Sequence, residues 1–444
     1  MKSYSHARLE AMARDRGLPE AYLRDLRVVS SVLPFKVNEY VADELIDWSA
    51  APDDPIFRLT FPHRDMLPPG MYASIAALLE DGAPRDVVRK AAAEAQTQLN
   101  PHPGGQLEAN VPWLEGRRLD GLQHKYPETV LVFPSQGQTC HAYCGYCFRW
   151  AQFVGVAELR QALRDPTDLT DYLATQADVT DVLFTGGDPL IMKTRALRRW
   201  VEPLLAPARE AVRTLRFGTK ALSYWPNRFV GDGDADDLLR LFEQCTTAGR
   251  HVAVMAHFSH PRELETPLVR QALERLRATG AVVRAQAPLV PHVNDHADVW
   301  ARMWQRQVEL GVVPYYMFVE RDTGARSYFG VRLANALAIY TDAVRQVSGL
   351  ARTARGPVMS ASLGKVQIDG VASIAGERVF VLRLLQARDP ALVGRSFFAA
   401  WDPTAEWFDE LQPALGSWYP GEPFRERDCP RRPGAIPSQT GSPI

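Results

Sequence analysis

Strand-like and helix-like stretches alternate six times between residues 129 and 347, and that rhythm limits the possible folds more than any other feature of the chain. Short β-branched or aromatic runs at 129–134, 180–185, 212–218, 251–257, 281–287 and 312–319 predict strands. Helix-period segments near 157–176, 193–205, 234–248, 265–279, 296–310 and 332–347 follow them. A helix between successive strands makes those strands parallel, so the expectation is an α/β fold. A partial (β/α)6 TIM-like barrel and a doubly wound sheet both satisfy this rhythm, which does not choose between them. Residues 1–110 predict a helical N-terminal segment broken by stretches such as Ala51-Pro52-Asp53-Asp54-Pro55. Residues 111–350 carry the barrel. Within 351–418, runs at 365–369 and 378–383 predict a strand pair around Gly376, and the Pro-, Gly- and Arg-rich 419–444 predicts a disordered tail.

Hydrophobic content of 46%, charged content of 23% and a net charge of −1 describe an ordinary soluble globular chain. They offer no electrostatic footprint for nucleic acid or an anionic membrane. The N-terminus is charged throughout, unlike a signal peptide, and no apolar run approaches the ~20 residues that span a bilayer. The expected location is cytoplasmic.

Three of the five cysteines fall within eight residues, as Cys140-His-Ala-Tyr-Cys144-Gly-Tyr-Cys147, directly after the first predicted strand. Iron–sulfur cubanes take one thiolate per iron, so three protein ligands leave one iron open for a small molecule. The competing reading is a zinc knot completed by His141. The triplet resembles that of the radical S-adenosylmethionine (SAM) superfamily. That resemblance implies one [4Fe–4S] cluster on Cys140, Cys144 and Cys147, SAM on its open iron, an external electron donor, and Tyr146 near the adenine. Cys245, in a helix pattern, and Cys429, in the tail, are expected to be structural or incidental. A second motif, Phe184-Thr-Gly186-Gly187-Asp188-Pro-Leu190, closes the second strand. Two glycines let backbone approach a ligand, and an acid beside them accepts from an ammonium. In the superfamily this element binds the methionyl amino group.

Further segments resemble the lysine 2,3-aminomutase family over most of residues 30–370. They are Gly121-Leu-Gln-His-Lys-Tyr-Pro127, the triplet with Phe148-Arg149, His257-Phe-Ser-His-Pro261, Gln286-Ala-Pro-Leu-Val-Pro-His-Val-Asn-Asp295 and Val313-Pro-Tyr-Tyr-Met-Phe318. The resemblance implies a partial barrel, pyridoxal phosphate beside SAM, and a shift of an amino group from C2 to C3 of a small amino acid. It also implies oligomers built through N-terminal helices.

Carried over residue by residue, Arg149 is expected on the substrate carboxylate, where its planar fork suits two oxygens. Lys365 sits where the family's Schiff-base lysine stands, although a plain strand-leading lysine fits that position equally. Lys125 keeps one of the family's phosphate-anchoring cations, whereas the later one reads Thr129. Arg216-Phe-Gly-Thr-Lys220 resembles the family's third-strand ending and offers another cation, and His257 and His260 close the fourth strand at the expected catalytic rim. Lysine-specific members hold the substrate's ε-ammonium with two aspartates. Here the first position reads Arg321, within Glu320-Arg321-Asp322, and 352–364 contains no acid. An arginine facing a desolvated ammonium is strongly unfavourable, so the expected substrate is not lysine unless Glu320 or Asp322 turns inward. A rival reading keeps the radical step without pyridoxal phosphate, giving epimerisation, dehydrogenation or another rearrangement. A second rival is a non-catalytic metal-binding scaffold.

Overall fold

The structure, a computed structural model, describes residues 1–100, 110–154, 161–416 and 418–420. In the N-terminal segment, helices α1 (His6–Asp15), α2 (Glu20–Val32), α3 (Pro55–Thr60), α4 (Pro69–Glu80) and α5 (Arg85–Leu99) accompany a small antiparallel pair, β1 (Ser3–Ser5) and β2 (Lys36–Asn38). A second short pair, β3 (Trp113–Leu114) and β4 (Arg117–Arg118), precedes the main sheet.

The main sheet has eleven strands: β5 (Leu122–Tyr126), β6 (Thr129–Val132), β7 (Asp181–Phe184), β8 (Thr214–Thr219), β9 (His251–His257), β10 (Val282–Leu289), β11 (Val313–Val319), β12 (Arg355–Ser360), β13 (Gly364–Ile374), β14 (Glu377–Ala387) and β15 (Ser396–Ala400). Their order in space is their order in the chain. A doubly wound sheet reverses direction at a switch point; this one never does, so the barrel alternative holds. Strands β6 to β12 run parallel, and β12 to β15 continue antiparallel.

The connecting helices are α6 (Trp150–Phe153), α7 (Pro166–Ala174), α8 (Thr194–Val201), α9 (Ala221–Tyr224), α10 (Ala235–Thr247), α11 (Pro267–Ala278), α12 (Ala297–Glu309), α13 (Arg326–Phe329) and α14 (Leu333–Arg345). Local chemistry sets their ends. Thr266 caps α11 by accepting from Val269 N–H, Pro267 supplies its first turn, and Gly280 follows it at a φ of 85°.

Burial alternates along the strands, and the sense of the alternation matters. Val182, Phe184, Leu215, Phe217, Val283 and Ala285 point outward and are buried in the core shared with the helices. Asp181, Arg216, Arg284 and Gln286 alternate with them and are only partly buried. The interior of a closed barrel is normally packed with branched apolar side chains. Here it is a polar chamber.

The sheet curls until its last strands meet its first. Gln386 of β14 donates to Glu128 Oε1 (3.3 Å), and Lys125 of β5 donates to the Ala361 carbonyl (2.5 Å). A second hydrophobic core unites α2, α3 and α4 with Ala142, Tyr146 and Trp150 from the cysteine loop, so the N-terminal segment packs on the site itself. Tyr419, at the start of the expected tail, is buried against Phe397 and Phe408; 421–444, including Cys429, lie outside the described residues. No helix among the described residues is long and apolar enough to cross a membrane.

Candidate active site

Cys140, Cys144 and Cys147 lie on the loop that leaves β6, half-buried and free of disulfides. The N-terminal segment supplies the loop's scaffold. Tyr143 N–H donates to the Lys36 carbonyl (2.8 Å) and Gly145 N–H to the Leu59 carbonyl (2.7 Å). The Lys36 ammonium donates to the Cys140 carbonyl (2.7 Å), and the Asn38 amide to the carbonyls of His141 (3.4 Å) and Tyr224 (2.8 Å). Burial pushes all three thiols up, Cys147 to about 12, so each keeps its proton until a metal displaces it.

The donor chemistry suits a cubane. Three thiols on one loop supply one thiolate for each of three irons. His141, which a zinc knot requires, is buried and turned toward Asp188, with Nδ1 3.8 Å from Oδ2 and without a hydrogen bond.

The Gly-Gly-Asp element lies against this loop. Gly186 has a φ of 143°, and a Cβ on Gly187 would fall 2.4 Å from the backbone of Thr139. Only glycine permits that approach. Asp188 is buried and accepts from Leu190 N–H (2.9 Å), the Thr219 hydroxyl (2.8 Å) and Lys220 N–H (2.9 Å), tying β7 to β8. Tyr146 meets Ser259 Oγ at 3.1 Å and His257 Nδ1 at 3.5 Å. Burial, reinforced by Lys220, lowers His257 to about 3, so this imidazole is neutral. Lys220 itself pairs with buried Glu263 (2.8 Å). His260 caps the turn at 261–264 in a reciprocal arrangement with Glu263. Cys245 is buried in α10.

Cations gather inside the chamber. The Arg149 guanidinium lies 4.2 Å over the Phe133 ring and 5.2 Å from Phe148; Arg321 lies 5.5 Å from the same Phe148 ring. Neither guanidinium makes a hydrogen bond or ion pair among the described residues. Burial lowers Arg149 to about 10, with Arg321 adding repulsion. Glu320 falls on the inward face continued from Tyr316 and Phe318 of β11, close enough to feel Cys147. Burial raises it to about 8 against the pull of the Arg321 N–H and guanidinium.

Deeper in, Lys365 Nζ donates to Gln386 Oε1 (2.5 Å) and sits 5.5 Å from the Tyr126 ring and 5.2 Å from Tyr316. Burial, followed by repulsion from Arg216, Arg355 and Lys125, lowers it to about 7. Lys125 lies 5.5 Å from the same Tyr126 ring and is lowered to about 7 by burial, Arg388 and Arg321. The sequence-predicted residues thus form two linked groups: Cys147, Arg149, Glu320 and Arg321 at the rim, and Lys125 with Lys365 below. Lys36 and Asn38 on a three-residue strand, and Arg355 on β12, carry no motif and were not singled out by sequence.

No protein-family model matches the chain. Over 394 residues it is 30% identical to the "Putative L-lysine 2,3-aminomutase" of Aquifex aeolicus (strain VF5), covering 88% of this chain and 91% of that protein. It is 27% identical over 273 residues to the L-lysine 2,3-aminomutase of Escherichia coli (strain K12), covering 61% of this chain and 74% of that protein. It is 25% identical over 232 residues to the glutamate 2,3-aminomutase of Clostridioides difficile (strain 630), covering 52% and 51%. Among solved structures, a radical SAM methyltransferase from Sphaerobacter thermophilus matches at a TM-score of 0.38 and 15% identity, covering 80% of this chain and 94% of that one. That likeness is too distant to place any residue. Membership implies a [4Fe–4S] cluster and SAM. On the near-full-length match, the chain belongs to the lysine 2,3-aminomutase-like family of radical SAM enzymes.

Proposed function

We propose that the chain is an aminomutase-like isomerase that moves an amino group between C2 and C3 of an amino acid other than lysine. The observation that carries this reading is Lys365, a largely desolvated amine lowered to about 7, set among Tyr126, Tyr316 and Gln386 inside a polar chamber. An amine must be unprotonated to attack a carbonyl, and burial among other cations produces that state near neutrality. Bound to Cys140, Cys144 and Cys147, the cluster with SAM supplies a hydrogen-abstracting 5′-deoxyadenosyl radical once an external donor reduces it. Bound at Lys365, pyridoxal phosphate supplies a conjugated ring for the migrating nitrogen.

The chain's own residues do the rest. Gly186 and Gly187 let this turn close onto the cysteine loop, Asp188 fixes the turn that would meet the amino group of SAM, and Tyr146 would border the adenine. Arg149 grips the substrate carboxylate with two N–H groups, and Lys125 contributes a cation toward the phosphate end. Glu320 does turn inward, but a carboxyl raised to about 8 holds its proton at neutral pH. An ammonium would have to ionise it beside Arg321. A carboxylate or hydroxyl side chain accepts from both instead.

Anaerobic reconstitution with iron and sulfide, followed by pyridoxal phosphate, tests this directly. The wild type should gain a visible cofactor band that Lys365→Ala lacks, while SAM cleavage under reductant survives in both. No band in the wild type removes the aminomutase reading in favour of a radical enzyme without the second cofactor. Protein that stays pale and leaves SAM intact removes both.

A further inference from the structure

Thr129 stands where the resemblance calls for a second phosphate-anchoring cation, and it is buried at the start of β6. Beside it, a cavity of about 240 Å³ opens between Glu128 and the opposite end of the curled sheet, lined by Tyr315, Tyr316, Arg355 and Gln386. One water occupies roughly 30 Å³ of liquid, so a phosphate fits with space to spare. Arg355 lies 4.8 Å from the Tyr315 ring and 4.5 Å from the Tyr316 ring. Its guanidinium makes no hydrogen bond or ion pair among the described residues. A guanidinium held by its face against aromatic rings keeps its N–H edge available for a planar or tetrahedral anion.

Lys365 does not line this cavity, but it shares two wall residues with it. Tyr316 borders both cations, Gln386 lines the cavity while accepting from Lys365 Nζ (2.5 Å), and Arg355 is among the charges that repel the Lys365 proton. The neighbouring cations are already engaged in part. Arg216 forms a two-pronged pair with Asp181 (2.8 and 2.6 Å), and Lys125 Nζ donates to the Ala361 carbonyl (2.5 Å), which leaves it an auxiliary cation at the phosphate end. Arg284 lies 5.4 Å from Tyr315 but outside the lining. The one acid in the lining, Glu128, is exposed at the mouth and accepts from Gln386 Nε2 (3.3 Å).

We propose that Arg355, seated on Tyr315 and Tyr316, is the principal anion subsite for the cofactor's phosphate, supplying from β12 the charge that β6 lacks at Thr129. This rests on the reading that Lys365 carries pyridoxal phosphate.

The test compares pyridoxal phosphate with pyridoxal, which lacks the phosphate, by visible absorbance and fluorescence titration of reconstituted protein. The wild type should prefer the phosphorylated form. Arg355→Met should cut that preference by about 10- to 100-fold, the range for a charge-assisted contact, and Arg355→Lys should restore part of it. Circular dichroism on both variants separates lost binding from lost fold. Preference that survives in a folded Arg355→Met, or that disappears instead in Lys125→Met, overturns the subsite while leaving Lys365 in its role. A wild type that takes up neither compound overturns the cofactor reading, and the subsite with it.

Discussion

Lys365 is the residue on which pH acts most directly. Its amine loses its proton near 7 in the folded chain, so cofactor capture should rise between pH 6 and 8 with a midpoint near 7. Replacing a repelling neighbour by Arg216→Met should move that midpoint upward; stopped-flow absorbance against pH reads both. The same shift affects stability. The unfolded chain holds this proton until about 10.4, so between roughly 7 and 10.4 it binds more protons than the native state. The contribution of Lys365 to stability therefore rises with pH across that window and is least favourable below 7. Lys365→Met should stabilise the cofactor-free protein more at pH 6 than at pH 9.5, as read from urea midpoints. At the rim, Arg321→Asp should shift kcat/KM toward amino acids with cationic side chains; an unchanged preference removes Arg321 from substrate selection. Sequence showed both Arg321 and Lys365, because each sits at a motif position. It left the direction of Glu320 open, since a side chain just past a strand's end is oriented by packing rather than by alternation.

At the scale of elements, the cysteine loop depends on partners far away in the chain. Asn38 is fully buried and serves two carbonyls and one N–H. Asn38→Ala leaves those groups without partners at a cost of about 1–3 kcal/mol, and should speed iron loss to a chelator. Lys36→Met should do the same without the global cost. Gly187→Ala should be the more severe change, because its Cβ would meet Thr139 backbone rather than a flexible side-chain end; iron and sulfide content after reconstitution reads all three. The six predicted strands all appear within about two residues of their expected limits, since each has a buried outward face that writes alternation into the sequence. Strands β1 to β5, β12 and β15 escaped. They are short or lie toward an edge or junction, and their residues reflect side-chain duties rather than a regular apolar face.

For the molecule as a whole, hydrogen-bonded strands run without interruption from β5 to β15, so barrel and C-terminal hairpin should open as one unit. Native-state hydrogen exchange should give β9 and β13 similar opening free energies, with the β1–β2 pair exchanging sooner. A separate early transition for 364–400 would contradict this. The rhythm of strands and helices did not by itself choose barrel over doubly wound sheet, because strand order is a property of long-range pairing; the motif resemblance made that choice. The division at residue 110 was likewise only a change of rhythm, and the core shared by α2, α3, α4 and the cysteine loop runs across it.

A sheet that bends back on itself also loosens the tie between place in the chain and place around the chamber. A charge missing from the first parallel strand can be replaced from the last, because the two face the same hollow. Relatives compared column by column would then seem to have lost a ligand that, in space, they still possess. For a chain of this shape, the meaningful unit of comparison is the wall of the hollow rather than the aligned position.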